Sequence, residues 1–255
     1  MRSLDLTHTS FGAQLVQVRL SGNDLFYNSP LSKIESGQSF RGGIPILFPQ
    51  FGNLGPLKKH GFARDVYWQL VKEAINLESA EIEYEYIIDE NHSSNWGNKA
   101  ILNLKIYSSQ NVIRIILQIK NTGKSYFFFT GGLHPYFKIR SRSVIKINGM
   151  EESYFEDAFP VNNFNLNDDS MIERLYLNNN EITFYNGYSH LLIKSSGFNN
   201  WMFWNPGSEG AKKLLDLPNE DWDKFFCIEP VLNNPAQLLK VNDIFKGELI
   251  IKLLE

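Results

Sequence analysis

Histidine titrates nearest neutrality, so the five histidines are the first candidates for acid/base chemistry. His8, His92 and His190 sit in polar, turn-like stretches without an evident partner and read as surface residues. Two others differ. His60 lies in Lys58-Lys59-His60-Gly61-Phe62-Ala63-Arg64, between charges and a glycine, and His134 lies in Phe129-Thr130-Gly131-Gly132-Leu133-His134-Pro135-Tyr136-Phe137, the most aromatic stretch of the chain. The residues alone leave His134 either a hydrogen-bonded core histidine or a proton-transfer group. Glu229 is the complementary oddity, a carboxylate in the apolar run Phe225-Phe226-Cys227-Ile228-Glu229-Pro230. Burying it is costly unless it is paired; burial would raise its pKa and donors would lower it. A simple alternating strand would turn it to solvent instead.

Other chemistries lack their usual signatures. There is no His-Glu-x-x-His, Cys-x-x-Cys or Asp-rich calcium loop, so no metal site is read. A Walker loop, Gly-x-Gly-x-x-Gly and Gly-x-Ser-x-Gly are also missing, which removes the common supports for nucleotide binding and serine hydrolysis. No cofactor is expected.

The elements that must position these residues are strands. Period-two alternation, at least in part, marks Gln14 to Leu20, Glu81 to Ile87, Ile101 to Tyr107, Val112 to Ile119 and Glu248 to Leu253. Turn signals fall between such segments: Asn121-Thr122-Gly123, Asn186-Gly187, Ser196-Gly197 and Asn205-Pro206-Gly207. Only Ser208 to Leu215 and Asn219 to Lys224 look helical, each about two turns at most, too little for a doubly wound α/β fold. The expected class is mainly β, a sandwich or barrel with few short helices. The stretch from Phe40 to Arg64 collects Gly, Pro, Arg and His in one irregular loop, the kind that often carries function on a β scaffold.

Composition sets the partner classes. The 255 residues, 43% hydrophobic and 21% charged with nineteen Phe, eleven Tyr and five Trp, suit a packed globule, expected as one domain over 1–255. The net charge of −3 comes with scattered Lys and Arg, so neither a nucleic-acid stripe nor a basic membrane helix is visible, and a small neutral or anionic ligand is the partner expected. The opening MRSLDLTHTS has no apolar signal region, and no stretch approaches the ~18 apolar residues of a membrane span. Cys227, the single cysteine, cannot form an internal disulfide; with the missing signal this points to the cytoplasm.

Taken in order, Arg41-Gly42-Gly43-Ile44-Pro45-Ile46-Leu47-Phe48-Pro49-Gln50-Phe51-Gly52, His60-Gly61-Phe62-Ala63-Arg64, Leu133-His134-Pro135-Tyr136-Phe137, Trp204-Asn205-Pro206 and Ile228-Glu229 resemble the aldose 1-epimerase superfamily. The arrangement is most similar to its hexose-6-phosphate mutarotase (glucose-6-phosphate 1-epimerase) branch. An ordered set spanning roughly residues 40 to 240 is far more specific than any one motif. The resemblance implies a galactose mutarotase-like antiparallel β-sandwich with a sugar or sugar phosphate bound in a cleft on one sheet. It also implies roles: His134 as general acid, Glu229 as general base, His60 as a sugar-binding partner, Arg41 and Arg64 near the phosphate, and Asp216 near sugar hydroxyls.

Two positions depart from the branch's pattern. Lys59 stands where Gln usually precedes His-Gly-Phe-Ala-Arg, and Glu173-Arg174-Leu175-Tyr176 replaces an Asp-Arg pair before Tyr. Lys59 adds a point charge for an anion, and the longer Glu173 shifts a hydroxyl contact; both bear on the sugar preferred rather than on the reaction.

The implied chemistry suits these residue types. A cyclic hemiacetal changes anomer by opening, rotating about C1–C2 and closing on the other carbonyl face. Opening needs a base at the O1 hydroxyl and an acid at ring oxygen O5, each within about 3 Å of its atom, and no metal or redox group. Tyr136, Phe137 and Trp204 offer apolar faces to sugar C–H groups, although Phe137 reads equally as core. The competing readings are an epimerase of free hexoses, with no need for Arg41 or Arg64, and a non-catalytic carbohydrate-binding sandwich. A glycoside hydrolase would ordinarily bring two carboxylates rather than a His and a Glu.

Overall fold

The computed structural model describes residues 5–20, 22–34, 38–90, 96–149, 166–177 and 180–254. The first strands are β1 (Leu6–Thr9), β2 (Gln14–Leu20), β3 (Asn23–Asp24), β4 (Ile46–Leu47), β5 (Gln69–Ile75) and β6 (Ser79–Ile88). They are followed by β7 (Ala100–Ser109), β8 (Val112–Asn121), β9 (Phe127–Leu133), β10 (Tyr136–Lys138) and β11 (Lys146–Asn148). The remainder are β12 (Ile172–Leu177), β13 (Glu181–Tyr185), β14 (His190–Ser196), β15 (Asn200–Asn205), β16 (Phe225–Leu239) and β17 (Ile244–Leu254). Among the described residues the one α-helix, α1, is Gly207–Ala211, with 3-10 turns at Ala63–Asp65, Arg142–Val144 and Asn219–Lys224. No helix among the described residues is long and apolar enough to cross a membrane.

The strands form two large antiparallel sheets and a small one. An eight-stranded sheet runs β11-β13-β14-β17-β8-β7-β6-β5, a six-stranded sheet runs β12-β15-β16-β9-β4 with β10 on β16, and β1-β2-β3 stand apart. Ile82, Ile106, Ile115 and Leu249 lie side by side across four strands of the larger sheet, each at most 1% exposed. Burying each such side chain stabilises the fold by roughly 1.5–3 kcal/mol. The opposite face of the same strands carries Glu83 against Lys105, Glu81 against Lys72 and Arg114 against Glu248. That in/out alternation is what period-two residues impose.

Each strand expected from alternation is present, Gln14–Leu20 with the expected bounds. The helical expectations shrink. Ser208 to Leu215 is helical only as far as Ala211 and then continues in tight turns, and Asn219–Lys224 is a 3-10 stretch. Glycines at 207 and 210 weaken a segment already too short to be stable on its own. The irregular loop from Phe40 to Arg64 contains one two-residue strand, β4, which pairs with β9 and ties the loop to the six-stranded sheet.

Candidate active site

The register of the six-stranded sheet determines which side chains share a face. Val231 pairs with Gly132 and Cys227 with Tyr136, so the position directly across from Glu229 is that of His134. On the other side of β16, Glu229 faces Met202 of β15, and Met202 faces Leu175 of β12. The adjacent row reads Tyr136, Cys227, Trp204, Glu173. Between these positions Phe203, Phe226 and Ile228 point into the core between the sheets. Alternation therefore sends Cys227 and Glu229 to the outer face, where Cys227 packs among Tyr136, Phe225 and Trp204 and Glu229 lines a cleft walled by residues of the Phe40 to Arg64 loop. Glu229 is 1% exposed: β16 is a central strand covered on both faces, and the solvent-facing reading does not hold.

Glu229 Oε1 lies 3.3 Å from His134 Nε2. The His134 ring is stacked on Tyr136 at 4.6 Å with planes 5° apart and meets Trp204 edge-on, while its backbone N–H donates to the Pro45 carbonyl. These contacts fix the imidazole orientation. Glu229 Oε2 and His134 Nδ1 are buried without a hydrogen-bond partner. Burial raises the Glu229 carboxyl well above the ordinary carboxylate value, with Glu173 adding to the rise and Lys59 and Arg64 opposing it. Burial also pushes the His134 imidazole well down, assisted by His60, Arg64 and Arg41. Both shifts favour the uncharged forms.

His60 is held by its own backbone. It adopts φ +70°, uncommon for a residue with a side chain, and its N–H donates to the Gly52 carbonyl at 2.8 Å while its Nδ1 accepts from Gly52 N–H at 3.1 Å. Gly61 follows at φ +72°, so close to the Phe48–Pro49 backbone that no side chain fits. Burial, then Arg64 and Lys59, push the His60 pKa down to about 3, so the ring is neutral and carries its proton on Nε2. It presents a hydrogen-bond donor 5.8 Å, ring to ring, from His134.

The cations divide by what they already hold. Arg41 pairs with Asp216 at 3.0 Å and donates to the Tyr136 hydroxyl at 3.2 Å. Arg64 donates to the Lys59 carbonyl at 3.1 Å, and among the described residues no carboxylate lies within ion-pair distance of it. Lys59 is exposed at the rim, as is Glu173. All eight candidates, Arg41, Lys59, His60, Arg64, His134, Glu173, Asp216 and Glu229, line one cleft of about 510 Å³, a size that suits a sugar-sized ligand.

The family model described as aldose 1-epimerase matches residues 2–252. The chain belongs to the aldose 1-epimerase family. Relatives from Cenchrus ciliaris and Escherichia coli K12, each 23% identical, match over 246 and 237 residues, covering 90% and 89% of this chain and 75% and 79% of theirs. Both carry the provisional name glucose-6-phosphate 1-epimerase. The fold is that of solved mutarotase structures. One from Salmonella typhimurium, described provisionally as a mutarotase, superposes with a TM-score of 0.87 at 20% identity, covering 99% of this chain and 88% of that one. A galactose mutarotase-like protein from Clostridium acetobutylicum gives 0.74 at 15%, covering 99% and 92%.

Among this epimerase's remaining histidines, His8 departs from the surface reading. Its Nδ1 is hydrogen-bonded to the buried Tyr84 hydroxyl and its Nε2 lies 2.8 Å from Glu73, partners far away in sequence. His190 is exposed against Tyr185, and His92 lies outside the described residues. Phe137 belongs to the core, whereas Tyr136 and Trp204 line the cleft. Sequence reading missed Met202, Phe51 and the Gln38 to Phe40 wall, which carry no chemical signature. It also treated Cys227 only as a disulfide candidate; its spacing two residues before Glu229 on a strand was the signal that both share a face.

Proposed function

We propose that this aldose 1-epimerase interconverts the α and β anomers of a hexose 6-phosphate, glucose 6-phosphate first among them. The observation that carries the reading is His134 and Glu229 face to face on a closed cleft floor, with Arg64 at the cleft wall free of any carboxylate among the described residues. A neutral sugar has no use for that guanidinium, and a phosphate takes it bidentately. The provisional names of the relatives agree.

Glu229 takes the O1 proton and His134 protonates O5 as the C1–O5 bond breaks. Rotation about C1–C2 exposes the other carbonyl face, and closure returns both protons, so the pair ends the turnover as it began. One proton serves the pair. Burial favours its resting place on the carboxyl, while Lys59 and Arg64 favour the carboxylate that the base role needs. His60 Nε2–H donates to a sugar oxygen, and being neutral it adds no full charge against a protonated His134. Asp216, Glu173 and Lys59 bind at the rim, and Trp204 offers its face to the ring.

Arg41 supports the free-hexose reading in one respect, because its guanidinium is already occupied by Asp216 and Tyr136. The deciding experiment compares kcat/KM of the wild-type enzyme on freshly dissolved α-glucose 6-phosphate and α-glucose. A clear preference for the phosphorylated sugar is expected; equal values or a preference for the free sugar would move the assignment to free hexoses.

A further inference from the structure

Beneath the proposed acid/base pair lies a third group that the reaction does not use. Cys227 precedes Glu229 by two positions on β16, shares its face, and is fully buried under Tyr136, Trp204 and Phe225, just below the cleft surface. One ligand atom each of His134, Cys227 and Glu229 lies within 4.8 Å of the others. A further atom of this set, Glu229 Oε2, is buried without any hydrogen-bond partner, on a residue 1% exposed. Such an orphaned oxygen is costly in a dry site, and a cation held by the same carboxylate would satisfy it.

We infer that His134, Cys227 and Glu229 form a site for a thiophilic divalent cation of the zinc class, whose occupation removes the acid/base pair and silences the epimerase. One nitrogen, one thiolate and one carboxylate are the donors such an ion takes, with a fourth position open to the cleft. Tetrahedral bonds of ~2.0 Å to N and O and ~2.3 Å to S set the donors ~3.3–3.5 Å apart. His134 and Glu229 already stand at 3.3 Å, and Cys227 needs to close by at most about 1.5 Å, within the reach of a χ1 rotation. The thiol proton and the proton shared by Glu229 and His134 both leave to solvent as the ion binds, so charge and atoms balance. Calcium or magnesium, which require oxygen donors, would not take the site.

The silencing rests on the acid/base reading above, and the binding does not, so two measurements separate them. Co2+ added to the purified full-length protein should give a thiolate-to-cobalt charge-transfer band that Zn2+ abolishes, and Cys227→Ala should lack it. In the same protein, Zn2+ should stop mutarotation of α-glucose 6-phosphate and EDTA should restore it. Cys227→Ala, which keeps His134 and Glu229, should turn over normally and need at least ~100-fold more Zn2+ to be inhibited. Should Cys227→Ala fold poorly, Cys227→Ser serves, since a hydroxyl is a far weaker zinc donor. Absence of the band in wild type, or equal zinc sensitivity of wild type and variant, overturns the site. A band in a protein that proves to have no mutarotase activity would overturn the acid/base reading and leave the metal site supported.

Discussion

Glu229 on β16 and His134 at the junction of β9 and β10 stand opposite one another, placed there by the register that runs from Val231 against Gly132 to Cys227 against Tyr136. Their 3.3 Å contact is thus set by the sheet, with Glu229 on a central strand and His134 in a two-residue junction anchored by strands on both sides, and groups held on such a scaffold keep their geometry. Other cleft-lining groups arrive from the loops around them, chiefly the Phe40 to Arg64 stretch and the turns after α1.

The two arginines are expected to behave differently. Arg64→Ala removes a guanidinium with no carboxylate of its own, so kcat/KM on glucose 6-phosphate should fall ~10- to 150-fold, the equivalent of about 1.5–3 kcal/mol for a charge-assisted contact. Turnover of free glucose should change much less. Arg41→Ala also strands Asp216 and the Tyr136 hydroxyl, and Tyr136 stacks on His134, so it should lower turnover of both sugars. Equal losses on both sugars for Arg64→Ala would contradict its phosphate role.

The pH profile follows from the pair. Burial delays uptake of a second proton to below the ordinary imidazole range and delays loss of the last proton to above the ordinary carboxylate range. The singly protonated pair therefore has its acid edge below the ordinary imidazole range and its basic edge above the ordinary carboxylate range. Profiled as kcat/KM on free glucose, which does not titrate there, activity should have its acid limb below about 6.5. An acid limb at or above that value would show that the pair is not desolvated as described.

Much of this was legible in the residue order, and the parts that were not share a physical cause. Strands with one solvated face, such as Val112–Asn121, announce themselves by alternation; β16 does not, because its first eight residues are buried on both faces. For the same reason, the burial of Glu229 could not be read locally. The edge strand Gln69–Ile75 is exposed throughout and carries no apolar face to detect. The eight candidate site residues all line the cleft, whereas the pairing of Arg41 with Asp216 and of His8 with Tyr84 and Glu73 joins positions that only the fold brings together.

His60 should make the fold acid-labile. An unfolded chain protonates it near the ordinary value of ~6.5, and the folded protein only at about 3. Between these values the unfolded state binds more protons, so the stabilisation is complete above the upper value and declines as pH falls through the window. His60→Gln removes that linkage. Urea unfolding from pH 6.5 down should show a shallower loss of stability in the variant, by up to ~1.4 kcal/mol per pH unit. Parallel pH dependences for the two proteins would mean that His60 is not buried as a neutral ring.

The most direct test is the exchange rate between the anomers of glucose 6-phosphate at equilibrium, measured by NMR magnetisation transfer for wild type, His134→Ala and Glu229→Gln, each checked for a native circular-dichroism spectrum and cooperative melting. The wild type should accelerate exchange well above the spontaneous rate, and each variant should lose about 10²-fold or more of that acceleration, the usual contribution of a positioned acid or base. A folded His134→Ala or Glu229→Gln protein that exchanged the anomers at close to the wild-type rate would contradict the assignment of the pair.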